Sequence, residues 1–139
     1  MARTVAELMT REPSTVGEQD TVARAAQLMK DNDTGNVAVV EDGRLVGIIT
    51  DRDIAVRVVA ADRPAATRVG EAASHERLVT ISPETTLGQA ASVMREKSVR
   101  RLPVVRDDTL VGIISMGDLA IEADSESGLA DISAAEPNA

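Results

Sequence analysis

The chain contains an internal repeat. The segment LVGIIT at 45–50 recurs as LVGIIS at 110–115, which is 65 positions later. At this offset, without gaps, residues 15–53 and 80–118 are identical at 14 of 39 positions. A match of this extent indicates duplication of a unit of about 60 residues, so the same local structure is expected twice.

The residue pattern of each copy predicts the element order βαββα. Apolar residues spaced three and four apart indicate the first helix of each copy, with Thr21 and Thr86 as N-caps. The Asp42-Gly43 pair predicts a tight hairpin in the first copy, and the second copy lacks that glycine. The expected elements are strands at 14–16, 37–40, 45–50, 79–81, 102–105 and 110–115, helices at about 21–31 and 86–97, closing helices from about 51 and 116, and short leading helices at about 4–9 and 69–73.

One copy alone has too few elements to cover its sheet. The runs around Val46 and Val111 are apolar at consecutive positions, which is typical of strands buried on both faces. We therefore expect an α/β (α+β) fold of two tandem βαββα units, packed sheet to sheet with pseudo-two-fold symmetry. The expected boundaries are 1–60 for the first unit, 61–68 for a linker, 69–123 for the second unit and 124–139 for an acidic, disordered tail.

Composition excludes several classes of function. The chain has no Phe, Tyr or Trp, so no aromatic ring is available to stack on a base. The net charge is −8 and no basic stripe is present, which argues against general nucleic-acid binding. The sequence has no cysteine, its first residues contain no apolar core of signal-peptide length, and no apolar stretch reaches about 20 residues, so we expect a cytoplasmic protein without membrane contact.

The sharpest motif is Gly-Ile-Ile-Thr/Ser-x-x-Asp, which occupies 47–53 and 112–118. A hydroxyl residue followed three positions later by an acid is typical of a helix-capping box. The same arrangement is also suited to binding, because a carboxylate at a helix start can accept hydrogen bonds from ribose hydroxyls. Capping and binding are compatible, so the sequence leaves both interpretations open.

These features together resemble a pair of CBS domains (cystathionine β-synthase domains), also called a Bateman module. The resemblance rests on the βαββα order, on the second hairpin strands ending in GIIT-DRD-I and GIIS-MGD-L, and on VRRLPVV at 99–105. It covers the chain except for the tail. The resemblance is to stand-alone two-CBS proteins, so no other domain is expected beside the pair.

The resemblance implies a regulatory module that binds an adenosine-containing ligand between the two units and signals by changing their packing. AMP, ADP, ATP, S-adenosylmethionine and NAD are the implied ligands, and an unknown regulated protein is an implied partner. By the same analogy, the ribose ligands are Asp53, Asp118, Thr50 and Ser115. The adenine pocket would be lined by Thr15, Val16, Val37, Ala38, Thr80, Ile81, Leu102 and Pro103.

Arginines suited to phosphate differ between the copies. The second copy has Arg100 and Arg101 where the first has Gly35 and Asn36, and Arg52 has glycine as its counterpart. Arginine forks match phosphate oxygens, so Arg101, Arg100 and Arg52 are candidate phosphate ligands. The difference also predicts that the two ligand sites are not equivalent.

Neither a metal site nor a catalytic centre is predicted. His75 is the only histidine and has no second His or Cys nearby, and no nucleophile elbow is present. We therefore expect no enzyme activity. The competing hypothesis to nucleotide sensing is a structural or interaction module, in which the duplication serves dimerisation and the Thr/Ser-x-x-Asp pairs are only caps. The family resemblance also implies a homodimer.

Overall fold

The computed structural model describes residues 3–75 and 78–127. In chain order they form a 3-10 helix (Val5–Glu7), β1 (Thr10–Arg11), β2 (Thr15–Val16), α1 (Val22–Asn32), β3 (Asn36–Glu41), β4 (Arg44–Thr50), α2 (Asp51–Asp53) continuing as a π-helix (Ile54–Val59), α3 (Val69–Ala72), α4 (Leu87–Lys97), β5 (Arg101–Arg106), β6 (Thr109–Ser115) and α5 (Met116–Ser127). The expected N-caps are confirmed, since Thr21 and Thr86 accept hydrogen bonds from the amides of Arg24 and Gln89, each at 3.1 Å.

These elements belong to two compact units. The first-repeat unit contains the described residues of 12–78 and 105–110, and the second-repeat unit contains those of 1–11, 79–104 and 111–139. The boundaries expected from the sequence follow chain order, whereas each of these units also includes the short segment that precedes the other repeat.

The first-repeat unit is built on a sheet of β2, β3 and β4. β2 runs parallel to β3 with Thr15 opposite Ala38, and β3 runs antiparallel to β4 with Ala38 opposite Ile48 and Asn36 opposite Thr50. Because side chains alternate along a strand, one sheet face carries these residues and the other faces the core. The core face is buried against α1 through Val16, Val37, Val39, Ile49, Val22, Ala25 and Met29.

The second-repeat unit has the same alternation. Leu102, Val104 and Ile114 lie in its core with Ala90 and Met94 of α4. The strand expected at 79–81 is reduced to a single parallel bridge between Ile81 and Val104. The amide of Ile81 donates to the carbonyl of Pro103 at 3.1 Å, but proline has no N–H to donate in return, which limits the ladder.

Two glycines of the repeated motif lie under short segments that the sequence analysis did not predict as strands. Ser74 forms two backbone hydrogen bonds with Ile48, at 2.9 and 3.0 Å, and its carbonyl covers Gly47. In the other unit, β1 pairs antiparallel with β6 and covers Gly112. Both motif glycines therefore serve close backbone packing.

The second-copy hairpin forms the same turn without its glycine. Asp42 and Gly43 have φ values of 53° and 82°, and Asp107 and Asp108 have φ values of 52° and 68°. Positive φ at both central residues is the type I′ pattern, which matches the twist of the flanking strands. Aspartate tolerates this region better than most residues, so the turn survives the substitution of glycine.

The closing helices begin where the motif predicts, at Asp51 and Met116, but they differ in form. α2 changes to π-helical hydrogen bonding from Ile54 onward, whereas α5 is α-helical throughout. α5 extends to Ser127, beyond the point at which the acidic tail 124–139 was expected to begin. The remainder of that tail, 128–139, lies outside the described residues.

Candidate ligand-binding site

In the first repeat, the motif forms a reciprocal hydrogen-bonded turn at the end of β4. Thr50 is the N-cap of α2, and its Oγ1 accepts from the amide of Asp53 at 3.0 Å. The amide of Thr50 in turn donates to Oδ2 of Asp53 at 2.9 Å. Thr50 has an extended backbone at the end of β4, and the first turn of α2 brings Asp53 back beside it.

The second repeat forms the same turn at the end of β6. Oγ of Ser115 accepts from the amide of Asp118 at 3.1 Å, and the amide of Ser115 donates to Oδ2 of Asp118 at 2.9 Å. The capping interpretation of the motif therefore holds in both copies.

Capping uses only one oxygen of each carboxylate. Two carboxylate oxygens offer about four lone-pair positions, and the cap occupies one of them. The Asp53 side chain is only 13% exposed, so its Oδ1 lies in a sheltered position where a hydrogen bond from a ligand hydroxyl is worth more than in bulk water. The turn can thus cap the helix and accept hydroxyl donors at the same time.

The eight residues expected to line the adenine pocket fall into two groups. Thr15 and Ala38 are paired on the sheet face opposite the one packed on α1, and this face also carries Thr50, although Ala38 is itself buried. Thr80 and Pro103 occupy the corresponding positions of the second repeat. The other four, Val16, Val37, Ile81 and Leu102, have side chains buried in the hydrophobic cores of their units.

The candidate phosphate ligands lie near the start of the closing helices. The amide of Met116 donates to the carbonyl of Arg100 at 2.8 Å, which holds Arg100 and Arg101 beside the first residue of α5. Arg101 is half-buried and Arg100 is exposed. Arg52 is exposed in the first turn of α2, next to Asp51, whose Oδ1 accepts from the Arg52 amide at 2.8 Å.

Sequence reasoning did not single out Arg57. Its Nε lies 3.9 Å from Oδ1 of Asp53, and its Nη1 donates to the carbonyls of Ala72 and Ala73 at 3.0 and 3.4 Å. The sequence does carry a signal for it, because residues four apart on a helix face each other. The signal is absent from the second copy, where position 122 is glutamate.

His75 is exposed, and its Nε2 lies 3.0 Å from Oε2 of Glu18. Within 3–75 and 78–127 there is no cluster of three His, Cys, Asp or Glu side chains that could hold a metal ion. Within the same ranges, no helix is both long and apolar enough to span a bilayer.

Comparison with known families decides the identity of the fold. The model of the CBS domain matches twice, at residues 5–60 and 69–124. The chain belongs to the CBS domain family. The resemblance stated from the motifs is confirmed, as is the mixed α+β class.

Three CBS relatives illustrate the match. CBS domain-containing protein YhcV of Bacillus subtilis (strain 168) is 44% identical over 117 residues, which is 84% of this chain and 83% of that protein. The crystal structure of Hypoxic Response Protein I, with two coordinated zinc ions, aligns with a TM-score of 0.76 at 34% identity and covers 84% of this chain and 96% of that one. The crystal structure of CBSX2 in complex with AMP aligns with a TM-score of 0.77 at 25% identity and covers 90% and 98%.

Proposed function

We propose that this CBS-domain chain is a regulatory module that binds an adenosine-containing ligand at the capped turns of its repeats. The observation that carries the proposal is the duplicated turn, in which Asp53 and Asp118 each use only Oδ2 for capping. The remaining carboxylate oxygen accepts the hydrogen bonds of the ribose hydroxyls. AMP, ADP, ATP, S-adenosylmethionine and NAD share that sugar.

The adenine ring lies, in this proposal, against the sheet face that carries the turn. Thr15 and Ala38 of the first repeat lie on that face, where Ala38 is only 2% exposed, and Thr80 and Pro103 are their counterparts in the second repeat. Aliphatic contacts and main-chain hydrogen bonds can hold a purine without an aromatic partner. The proposal is thus compatible with a chain that lacks Phe, Tyr and Trp.

Phosphate is bound more strongly at the second repeat. Arg100 and Arg101 stand beside the first turn of α5, where helix amides also favour an anion. The corresponding positions of the first repeat are Gly35 and Asn36, and Asp51 adds a negative charge next to Gly35. Arg52 is the cation that partly offsets that charge.

Ligand binding acts as a signal if it favours one conformation of the chain over another. The structure of CBSX2 in complex with AMP supports an adenine nucleotide as the ligand class. An unidentified partner protein then reads the conformation.

A second candidate function is a structural module without a nucleotide. It is favoured by the capping geometry itself, because both Thr/Ser–Asp pairs already have a complete role in starting a helix. In that case the aspartates contribute to stability alone.

We also propose that the chain forms a homodimer through its closing helices. Val56 and Ile121 occupy equivalent repeat positions and are 51% and 70% exposed. A groove of about 330 Å³ between α4 and α5 adds apolar surface around Met116 and Leu119. Analytical sedimentation of the wild-type chain and of Ile121→Glu tests this proposal. We expect the wild-type chain to sediment as a dimer and the variant as a monomer. Identical sedimentation of the two would contradict the proposal.

A thermal-shift screen separates the two candidate functions. Ligand at 100 times its Kd stabilises the native state by about 2.7 kcal/mol, and the chain needs an extrinsic dye because it has no Trp or Tyr. We expect AMP, ADP or ATP to raise the melting temperature and guanosine monophosphate to raise it less. The shift should shrink in Asp53→Ala and Asp118→Ala. No shift with any adenosine compound, S-adenosylmethionine and NAD included, would favour the structural module.

A further inference from the structure

Arg57 joins the Asp53 carboxylate to a separate segment of the same unit. Its guanidinium donates through Nη1 to the carbonyls of Ala72 and Ala73, while Nε stays 3.9 Å from Oδ1 of Asp53. Oδ1 is the carboxylate oxygen that the helix cap does not use. The guanidinium thus lies between a fixed pair of carbonyls and the atom assigned to the ligand.

The carbonyls contacted by Arg57 belong to a segment that is fixed independently of it. The amides of Val69 and Gly70 donate to the carbonyls of Asp20 and Glu18 at 2.7 and 2.9 Å, and Val69 is fully buried. Ser74 continues the segment along β4 through its two hydrogen bonds with Ile48. Removal of the Arg57 side chain therefore leaves the segment docked.

A planar guanidinium is suited to this position. It can donate to the two carbonyls through Nη1 while its charge faces the carboxylate. The contact between Arg57 and Asp53 opposes rotation of the Asp53 carboxylate away from a bound ligand. The sequence has glutamate at the matching position 122 of the second repeat, so an arginine at this position belongs to the first repeat.

We propose that Arg57 is a positioning residue for the ligand site of the first repeat, holding Oδ1 of Asp53 in the orientation that accepts the ribose hydroxyls. This inference rests on the proposed function. It goes beyond that function by assigning to Arg57 an effect on recognition of the sugar, although Arg57 itself does not touch the ligand.

Sugar recognition can be measured by comparing AMP with 2′-deoxyadenosine monophosphate. Calorimetric titration in an Asp118→Asn background isolates the first repeat. A hydrogen bond from the 2′-hydroxyl to a carboxylate predicts that AMP binds about ten-fold more tightly than the deoxy compound. In Arg57→Gln this ratio should fall to about two-fold or less, as orientation of the acceptor is lost.

Two further variants define the role. Arg57→Lys keeps the charge but not the fork and should restore part of the ratio. Arg24→Gln removes an exposed arginine from α1 of the same unit and should leave the ratio unchanged. Equal weakening of both ligands in Arg57→Gln, with the ratio preserved, would overturn the positioning role in favour of a purely structural one.

A measurement without ligand separates failure of this inference from failure of the proposed function. If the Asp118→Asn chain does not distinguish AMP from 2′-deoxyadenosine monophosphate, the ribose role of Asp53 is wrong. Urea denaturation of Asp53→Asn, Arg57→Gln and the double variant then decides whether the two side chains are coupled. Non-additive losses support the connection between them, and additive losses overturn it.

Discussion

The carbonyl oxygen of Ser74 lies so close to Gly47 that a Cβ on the glycine would stand 2.9 Å from it. Ser74 precedes the second repeat along the chain but is hydrogen-bonded to the first. Gly112 has the same relationship with Thr10, whose carbonyl would also be 2.9 Å from an added Cβ. Each motif glycine therefore permits a leading segment to dock on a strand.

Substitution of Gly47 by alanine should destabilise the chain. The added methyl group must displace backbone, and overpacking of this kind costs about 1–3 kcal/mol. Gly88→Ala is the matched control, because Gly88 lies in helix α4 with nothing within 4 Å of an added Cβ. Chemical denaturation should show a loss for the first variant and no loss, or a gain, for the second. Equal behaviour would contradict the docking role of Gly47.

The hairpin turn of the first repeat predicts that substitutions of Gly43 lower stability to different extents. Its φ of 82° disfavours a side chain although there is space for one, so Gly43→Ala should cost about 1–2 kcal/mol. Gly43→Asp should cost less, because the second repeat has aspartate at this position with φ of 68°. Unfolding free energies of the two variants check the order, which is wrong if aspartate is the more destabilising.

The caps predict a loss of stability that is independent of ligand. Ser115→Ala removes the acceptor of the Asp118 amide and should lower the unfolding free energy by about 1 kcal/mol. Ser92→Ala, at an exposed position within α4, should leave it nearly unchanged or raise it. A neutral Ser115→Ala would show that the cap contributes nothing.

Acid should weaken the fold through two glutamates. The hydrogen bond from the Thr4 amide holds the pKa of Glu7 below its usual 4.5, and the side-chain hydrogen bond from Arg63 lowers the pKa of Glu71 in the same direction. A lowered folded-state pKa stabilises the native chain above 4.5, and this contribution is lost as pH falls through the lowered value. Glu71→Gln should therefore lose less stability than wild type over that acid range in urea titrations. An identical acid dependence would contradict the Arg63 contact.

Much of the fold was predictable because local chemistry and packing agree. Thr21 and Thr86 cap the helices that follow them, and the hairpin strands form where the runs of consecutive apolar residues predict them. The second hairpin forms at Asp107 and Asp108 although its turn signal is weaker.

Features that depend on distant residues were not predictable. The short strand at Thr10 exists only because β6 offers it a partner, and Pro103 shortens the ladder expected at 79–81. The spacing of four between Asp53 and Arg57 is visible in the sequence, but the two carbonyl contacts of Arg57 are not, because Ala72 and Ala73 lie 15 and 16 residues away. The capped aspartates of the candidate site were predictable from the sequence. That Val16 and Val37 point into the core, and not toward a ligand, follows only from the register of the sheet.

Calorimetric titration of AMP into the wild-type chain, Asp53→Asn, Asp118→Asn and the double variant tests the central claim most directly. Asparagine can still accept the capping hydrogen bond, so the variants should remain folded while hydroxyl recognition weakens. We predict AMP binding by the wild-type chain, a loss of about 1.5–3 kcal/mol at the altered repeat in each single variant, and a loss at both repeats in the double variant. Unchanged AMP affinity in the folded double variant would contradict the account.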